Sequence, residues 1–387
     1  MRARRPVGHA FLMTNRPVPW SRSRGFERLL AQETNLSDLI QFLSDRDPQP
    51  WSDLVGFVPD EVAREAGRAN HADLFLTAAN RKAVVEVKLG HLMSADQQKK
   101  YETLPSEPDL YLAALSSDES RLEADRSRWA FLSLSDLVGR WRQSPIEAAR
   151  VVAAESADVL EAWDELIRAA FERSDSAESQ PVSRLNQKFL TRVVTRRIAQ
   201  DLGRRGRIAD AGVTSGGGLP LVQSWTPIRG EGIDRAFIAE VRWRETKPVG
   251  ELRFGVDFDP RPGHVEDEEV RRAAYDLACS MDVYIDFAAL RTHLSSEHPE
   301  LLDLVGRKER SRPKPKGDWQ QVVVHGFKGA PLEDGSTNSR RRTTPGFYGD
   351  GALRFQAIAD VDFDRASAND LTSLIDTTLT FLSSRQP

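Results

Sequence analysis

Two short stretches, Leu74-Phe75-Leu76 and Ala83-Val84-Val85-Glu86-Val87-Lys88, flank a polar loop at Ala79-Asn80-Arg81. The second ends by alternating apolar with charged positions, the pattern that places successive side chains on opposite faces of a strand. The pair predicts a β-hairpin over 71–77 and 82–88. Upstream, Phe26, Leu29, Leu30, Leu36, Leu39, Ile40 and Leu43 recur at helical spacing. Asn35 or Ser37 could cap a second helix within that stretch, and Pro48 and Pro50 close it. Residues 59–68 alternate briefly and read as a strand. Downstream, 92–103 is polar and helix-prone. LYLAAL at 110–115 and WAFLSL at 129–134 are continuous apolar runs of the kind found in strands buried on both faces. Asp136–Trp141 reads as a helix with Ser135 as its N-cap, and 146–171 as a long helix.

The second half reads differently. ERSDSAESQPVS (172–183) is polar and contains a proline, the composition of a linker. A helix over 184–202, a Gly-rich turn at 216–218, strand-like runs at 236–244, 251–258, 319–326 and 352–362, and a helix at 367–383 follow. This order predicts a C-terminal α+β domain with a mostly antiparallel sheet. The division is then a basic, Pro-containing arm (1–24), a first domain (25–171), a linker (172–183) and a second domain (184–387).

Composition narrows the class. Hydrophobic residues make up 40% and charged residues 29% of 387, which describes a globular chain with room for more than one core. Cys279 is the single cysteine, which excludes an intramolecular disulfide and a cysteine metal cluster and suits a reducing cytoplasm. No run is long and apolar enough for a transmembrane helix, and the N-terminus lacks the apolar core of a secretory signal. H-E-x-x-H, Walker A and G-x-S-x-G motifs are absent.

Glu86 and Lys88, two residues apart, share a strand face with Val84. An exposed pair of this kind contributes under about 1 kcal/mol and needs no function. A central strand covered on both faces should bury those positions, however, and buried charges need a reason. Asp73 and Glu86 are hard oxygen donors suited to Mg²⁺ or Mn²⁺.

The order helix, strand, hairpin, helix, strand, with Asp73, twelve intervening residues and then Glu86-Val87-Lys88, resembles the PD-(D/E)XK nuclease superfamily over residues 26–142. KAVVEVKLG resembles that family's motif-bearing strand, and Gln97 with Tyr101 resembles the Gln-bearing helix that follows it. Ala72 stands where the family's written motif has proline. The resemblance implies a restriction-endonuclease-like αβββαβ core, an α/β arrangement with a mixed central sheet flanked by helices. It implies a metal held by Asp73, Glu86 and the backbone carbonyl of Val87. Lys88 would orient the attacking water or neutralise the transition state, and Gln97 would position nucleophile or substrate. Glu33, with Glu27 as the alternative, would be the acid of the first helix. The implied activity is Mg²⁺- or Mn²⁺-dependent phosphodiester hydrolysis, with DNA favoured over RNA, in restriction, phage defence or DNA repair. A catalytically idle module of the same fold is the rival reading. His71 and His91 flank the motif and read as structural histidines.

The net charge of −4 gives no global attraction for nucleic acid, so a binding face must come from local clusters. Residues 184–207 carry eight basic residues against one acid, and Leu185, Phe189 and Val193 give that segment an apolar side. Arg184, Lys188, Arg192, Arg196 and Arg197 are the candidate phosphate contacts. The role of 184–387 stays open between nucleic-acid binding, sensing and dimerisation. A homodimer and an activator acting through that half are both compatible with the sequence.

Overall fold

The computed structural model describes residues 25–64, 72–91, 93–121, 128–172, 176–185, 188–214, 217–227, 237–244, 248–258, 268–307 and 353–386. The first half contains α1 (Gly25–Leu30), α2 (Glu33–Arg46), α3 (Trp51–Val55), β1 (Glu61–Ala63), β2 (Leu74–Ala78), β3 (Arg81–Val87), α4 (Ala95–Glu102), β4 (Asp109–Ala114), β5 (Trp129–Ser133), α5 (Leu134–Gly139) and α6 (Glu147–Phe171). The five strands form one mixed sheet in sequence order. β1, β2 and β3 pair antiparallel, whereas β3–β4 and β4–β5 pair parallel. A parallel neighbour needs a crossover, and the connection carrying α4 supplies it between β3 and β4.

β3 lies at the centre of this sheet, and its side chains divide as period-two alternation requires. Ala83, Val85 and Val87 join the main core with Leu36, Ile40 and Leu43 of α2. Val84 joins a separate cluster with Tyr101 of α4, Leu104, Leu110, Leu112 and Trp129. Both faces are therefore covered, which accounts for the apolar character of β3. The helical stretch at the start is two helices, broken at Ala31 and Gln32. Ser133, two residues before the expected cap, accepts from Asp136 N at 3.4 Å and starts α5; Ser135 is buried instead.

The second half contains α7 (Lys188–Arg204), β6 (Ile208–Val213), β7 (Pro220–Thr226), β8 (Phe237–Arg242), β9 (Val249–Phe258), α8 (Glu268–Ser280), α9 (Phe287–Glu297), α10 (Pro299–Leu302), β10 (Val305–Arg307), β11 (Leu353–Asp362) and α11 (Ala368–Ser384). Its six strands form an antiparallel sheet in the order β10-β11-β9-β8-β7-β6. β6, β7, β10 and α8 to α10 are absent from the sequence reading. The arm at 1–24 and the strand expected at 319–326 lie outside the described residues. One sheet face is apolar, with Phe237, Ala239, Leu252, Phe254, Ala357 and Ala359 in the core. The other is polar: Trp225 Nε1 donates to Asp257 Oδ2 at 2.6 Å, and Arg354 Nε donates to Asp257 Oδ1 at 3.1 Å.

The expected linker is not a free tether. Gln180 N donates to Ala169 O, Val182 N to Ala366 O and Ser183 N to Phe363 O, at 2.9–3.0 Å. Trp163 of α6 packs on Phe189 of α7 with ring centroids 4.9 Å apart. Across the same junction Arg197 Nη2 pairs with Asp118 Oδ1 at 2.7 Å, and Arg121 pairs with Asp201 at 2.8 Å. Buried side chains of both halves belong to one continuous core. Among the described residues no helix is long and apolar enough to cross a membrane.

Candidate active site

Asp73 immediately precedes β2, where Leu74 pairs with Val85; antiparallel register therefore brings Asp73 opposite Glu86. Asp73 Oδ2 accepts from Val87 N at 2.8 Å, which ties the acid to the central strand. Glu86 and Lys88 are 3% and 7% exposed, so the charges on this face are buried. Lys88 Nζ donates to Glu86 Oε1 at 2.5 Å, and the Tyr101 hydroxyl donates to Glu86 Oε2 at 2.9 Å. From the other side of the strand end, Glu33 Oε1 accepts from Leu89 N at 2.8 Å. Lys88 N in turn donates to Ala113 O of β4 at 2.8 Å. Four elements thus converge on the end of β3: the entry to β2, the start of α2, one face of α4, and β4.

The electrostatics follow from two acids brought face to face out of water. Burial, and then the Glu86 carboxylate, push Asp73 up to about 6 against the pull of the Val87 amide. Burial alone would lower Lys88, but Glu86, Glu33 and Asp73 outweigh it and hold the ammonium above its ordinary value. Burial, and then Glu86, raise Tyr101, which keeps its hydroxyl a donor. His91 is lowered by burial and by Arg196, so its imidazole is neutral at pH 7. Arg196 is lowered by burial, while Glu33 opposes that shift.

The structure brings Asp73, Glu86, Lys88 and Glu33 together. Glu27 lies on α1, one helix before Glu33, which is the acid that reaches the strand end. Gln97 takes a different place: it is the third residue of a capping box, its Oε1 accepting from Ser94 N at 3.2 Å while Ser94 Oγ accepts from Gln97 N. The side chain by which α4 reaches Glu86 is Tyr101. Sequence reasoning assigns Tyr101 no role, although it stands one turn after Gln97 and on the side of α4 that also meets the sheet.

The basic segment is corrected at one position. Arg197 is 2% exposed, paired with Asp118 and bonded to Ser117 Oγ at 2.9 Å, so it cannot meet a phosphate backbone. Arg192 is exposed, Arg184, Lys188 and Arg196 are half-buried, and Lys188 Nζ donates to Gly217 O at 3.3 Å. His71 lies outside the described residues.

Comparison of the chain with protein-family models, with curated proteins and with solved structures finds no match. The site has therefore to be read from its own chemistry. Among the described residues no group of three or more His, Cys, Asp or Glu side chains is arranged to hold a metal ion. Glu86 has both oxygens engaged, and Glu33 is turned to the Leu89 amide. The donor set nevertheless fits a hard divalent cation in kind. Asp73, at the entry to β2, and Glu86 on β3 offer carboxylate oxygens, and the raised Asp73 reflects first its burial and then the nearby Glu86 charge, both of which a bound cation would offset.

Proposed function

We propose that this chain is a metal-dependent nuclease of the PD-(D/E)XK type that hydrolyses phosphodiester bonds, with DNA as the favoured substrate. The observation that carries the reading is the Asp73–Glu86–Lys88 cluster at the end of the central strand β3, with Glu86 and Lys88 buried and Asp73 half-buried beside them. The element order supports it as well: helix α2, the short helix α3, three antiparallel strands, helix α4, then a strand parallel to β3.

Asp73, Glu86 and the Val87 carbonyl would hold Mg²⁺ or Mn²⁺. When bound, the ion supplies an acidified water and positive charge for the pentacovalent phosphate. The protein's own residues do the positioning. Val87 N–H fixes the Asp73 carboxylate, and Tyr101 fixes Glu86 from the α4 side. Lys88, kept protonated by three acids, releases Glu86 and turns to the phosphate or to the attacking water, where its charge stabilises the transition state. Glu33 clamps the Leu89 amide and so sets the path of the chain directly after Lys88.

A second reading, a nucleic-acid-binding module without turnover, is favoured by one feature: in this arrangement Lys88 and Tyr101 occupy both oxygens of Glu86. One experiment separates the two. Wild type, Lys88→Ala and Asp73→Ala are incubated with plasmid, linear and single-stranded DNA and with RNA, in Mg²⁺, Mn²⁺ or EDTA. Cleavage by wild type that needs the metal and falls by at least about a hundredfold in both variants supports the nuclease. Binding of nucleic acid with no cleavage under any condition supports the idle module.

A further inference from the structure

Lys188, Arg192 and Arg196 are spaced four residues apart on α7 and so line one side of the helix. At 1.5 Å per residue the stripe spans about 12 Å. Its middle cation, Arg192, is exposed. Leu190, Val193, Val194 and Ile198 are fully or almost fully buried and hold the helix by its other sides.

One close approach sets this helix beside the turn that follows the acid cluster. Gly90, two residues after Lys88, has φ +68°, and a Cβ placed there would lie 2.7 Å from Val193 Cγ2. α7 therefore rests directly on the turn that leaves β3. Arg197, adjacent to Arg196, is sunk into its ion pair with Asp118, which fixes the rotation of the helix about its axis. With that rotation fixed, Arg196 comes within electrostatic reach of Glu33 and His91 at the inner end of the stripe. Glu33 is the acid that acts on Arg196, and one of its oxygens is already committed to Leu89.

We infer that the Lys188–Arg192–Arg196 stripe of α7 is a phosphate-binding track that leads one strand of nucleic acid to the Asp73–Glu86–Lys88 cluster, with Arg196 at its inner end. The second half of the chain then contributes to the site of the first by supplying the grip on the substrate. The inference rests on the nuclease reading for what happens to the strand. In a duplex each strand carries a phosphate every ~3.4 Å along the axis, so about three or four steps lie over the stripe. Contacts of this kind position the strand and read no sequence.

The test measures binding of a fluorescent DNA duplex, the matching single strand and an RNA of the same sequence by anisotropy, in EDTA and over a range of salt. Arg192→Ala/Arg196→Ala is expected to weaken binding at low salt and to reduce the slope of log affinity against log salt by about 2. Arg192→Lys/Arg196→Lys is expected to restore most of that slope, since it restores the charges. Arg168→Ala, on the exposed side of α6, serves as the control and should keep the wild-type slope. Thermal melting of each variant checks that the fold is retained. A wild-type slope in the double alanine variant overturns the track. So does a lost slope that the lysine variant fails to restore, and so does a wild type that binds none of the three probes. The nuclease reading is scored separately by cleavage in Mg²⁺: binding that depends on the stripe without any cleavage leaves the track standing and removes the nuclease.

Discussion

The Tyr101 hydroxyl donates to Glu86 Oε2 across 2.9 Å, closing the carboxylate whose other oxygen holds Lys88. Replacing it by phenylalanine leaves a buried carboxylate oxygen without its donor. Tyr101→Phe is expected to lower unfolding free energy by about 1–3 kcal/mol, read by urea denaturation, with little change in the slope of that unfolding curve.

Asp73 contributes to the acid side of the pH profile. Its folded-state value lies at about 6 against an ordinary 3.8, so the folded chain holds this proton more tightly than the unfolded one. Stability should therefore fall as pH rises from about 4 to about 6, by up to about 3 kcal/mol for this group, in the absence of divalent ions. Asp73→Asn is expected to remove that slope and, above pH 6, to be more stable than wild type in EDTA. Adding Mg²⁺ at neutral pH should then stabilise wild type and leave Asp73→Asn unmoved. Denaturation midpoints across pH, with and without the metal, check both statements.

Arg197 and Asp118 join the halves through a buried pair. Removing one partner strands the other: Arg197→Met alone should destabilise by about 3–5 kcal/mol. Adding Asp118→Leu to Arg197→Met should recover much of that loss, because the orphaned charge is gone. A double-mutant cycle in urea measures the coupling.

Gly90 is held in the left-handed region at φ +68° beneath Val193. Gly90→Ala meets both an unfavourable backbone conformation and a methyl group with no room to retreat. A loss of at least about 2 kcal/mol is expected, with part of it recovered when Val193→Ala opens the space. Melting temperatures of the three variants decide it.

The first sheet was legible because its signals are local. The hairpin of β2 and β3 announces itself by alternation around a short polar turn, and the acids on it sit where register must bring them together. Gln97 carries a second signal: Ser94-x-x-Gln97 is a capping box, which commits its side-chain oxygen to the start of α4. Arg197 was misplaced because a run of charges hides helix phase. Counted four residues on from Val193, which is buried, it belongs to the buried side. β6 and β7 escaped because Ile208–Val213 carries small residues and a glycine, and Pro220 opens its partner; pairing across the sheet overrides those weak propensities. The linker expected at 172–183 follows from polarity and a proline, which cannot show that the amides of Gln180, Val182 and Ser183 bond to Ala169, Ala366 and Phe363.

Those last bonds bear on the order in which the molecule comes together. The first sheet pairs neighbours in sequence, by a hairpin between β2 and β3 and by crossovers to β4 and β5, so its contacts close over shorter stretches of chain than those between the halves. The clasp between the halves is different: Asn369 Nδ2 donates to Phe171 O at 2.6 Å across 198 residues, next to the bond from Val182 N to Ala366 O. Such distant closures form late, after the loop entropy between them has been overcome. α7 itself is seated by Gly90, Asp118 and Trp163, over shorter loops than the clasp. The segment around Ala366 therefore returns last and locks an arrangement of α7 and the acid cluster that is already made.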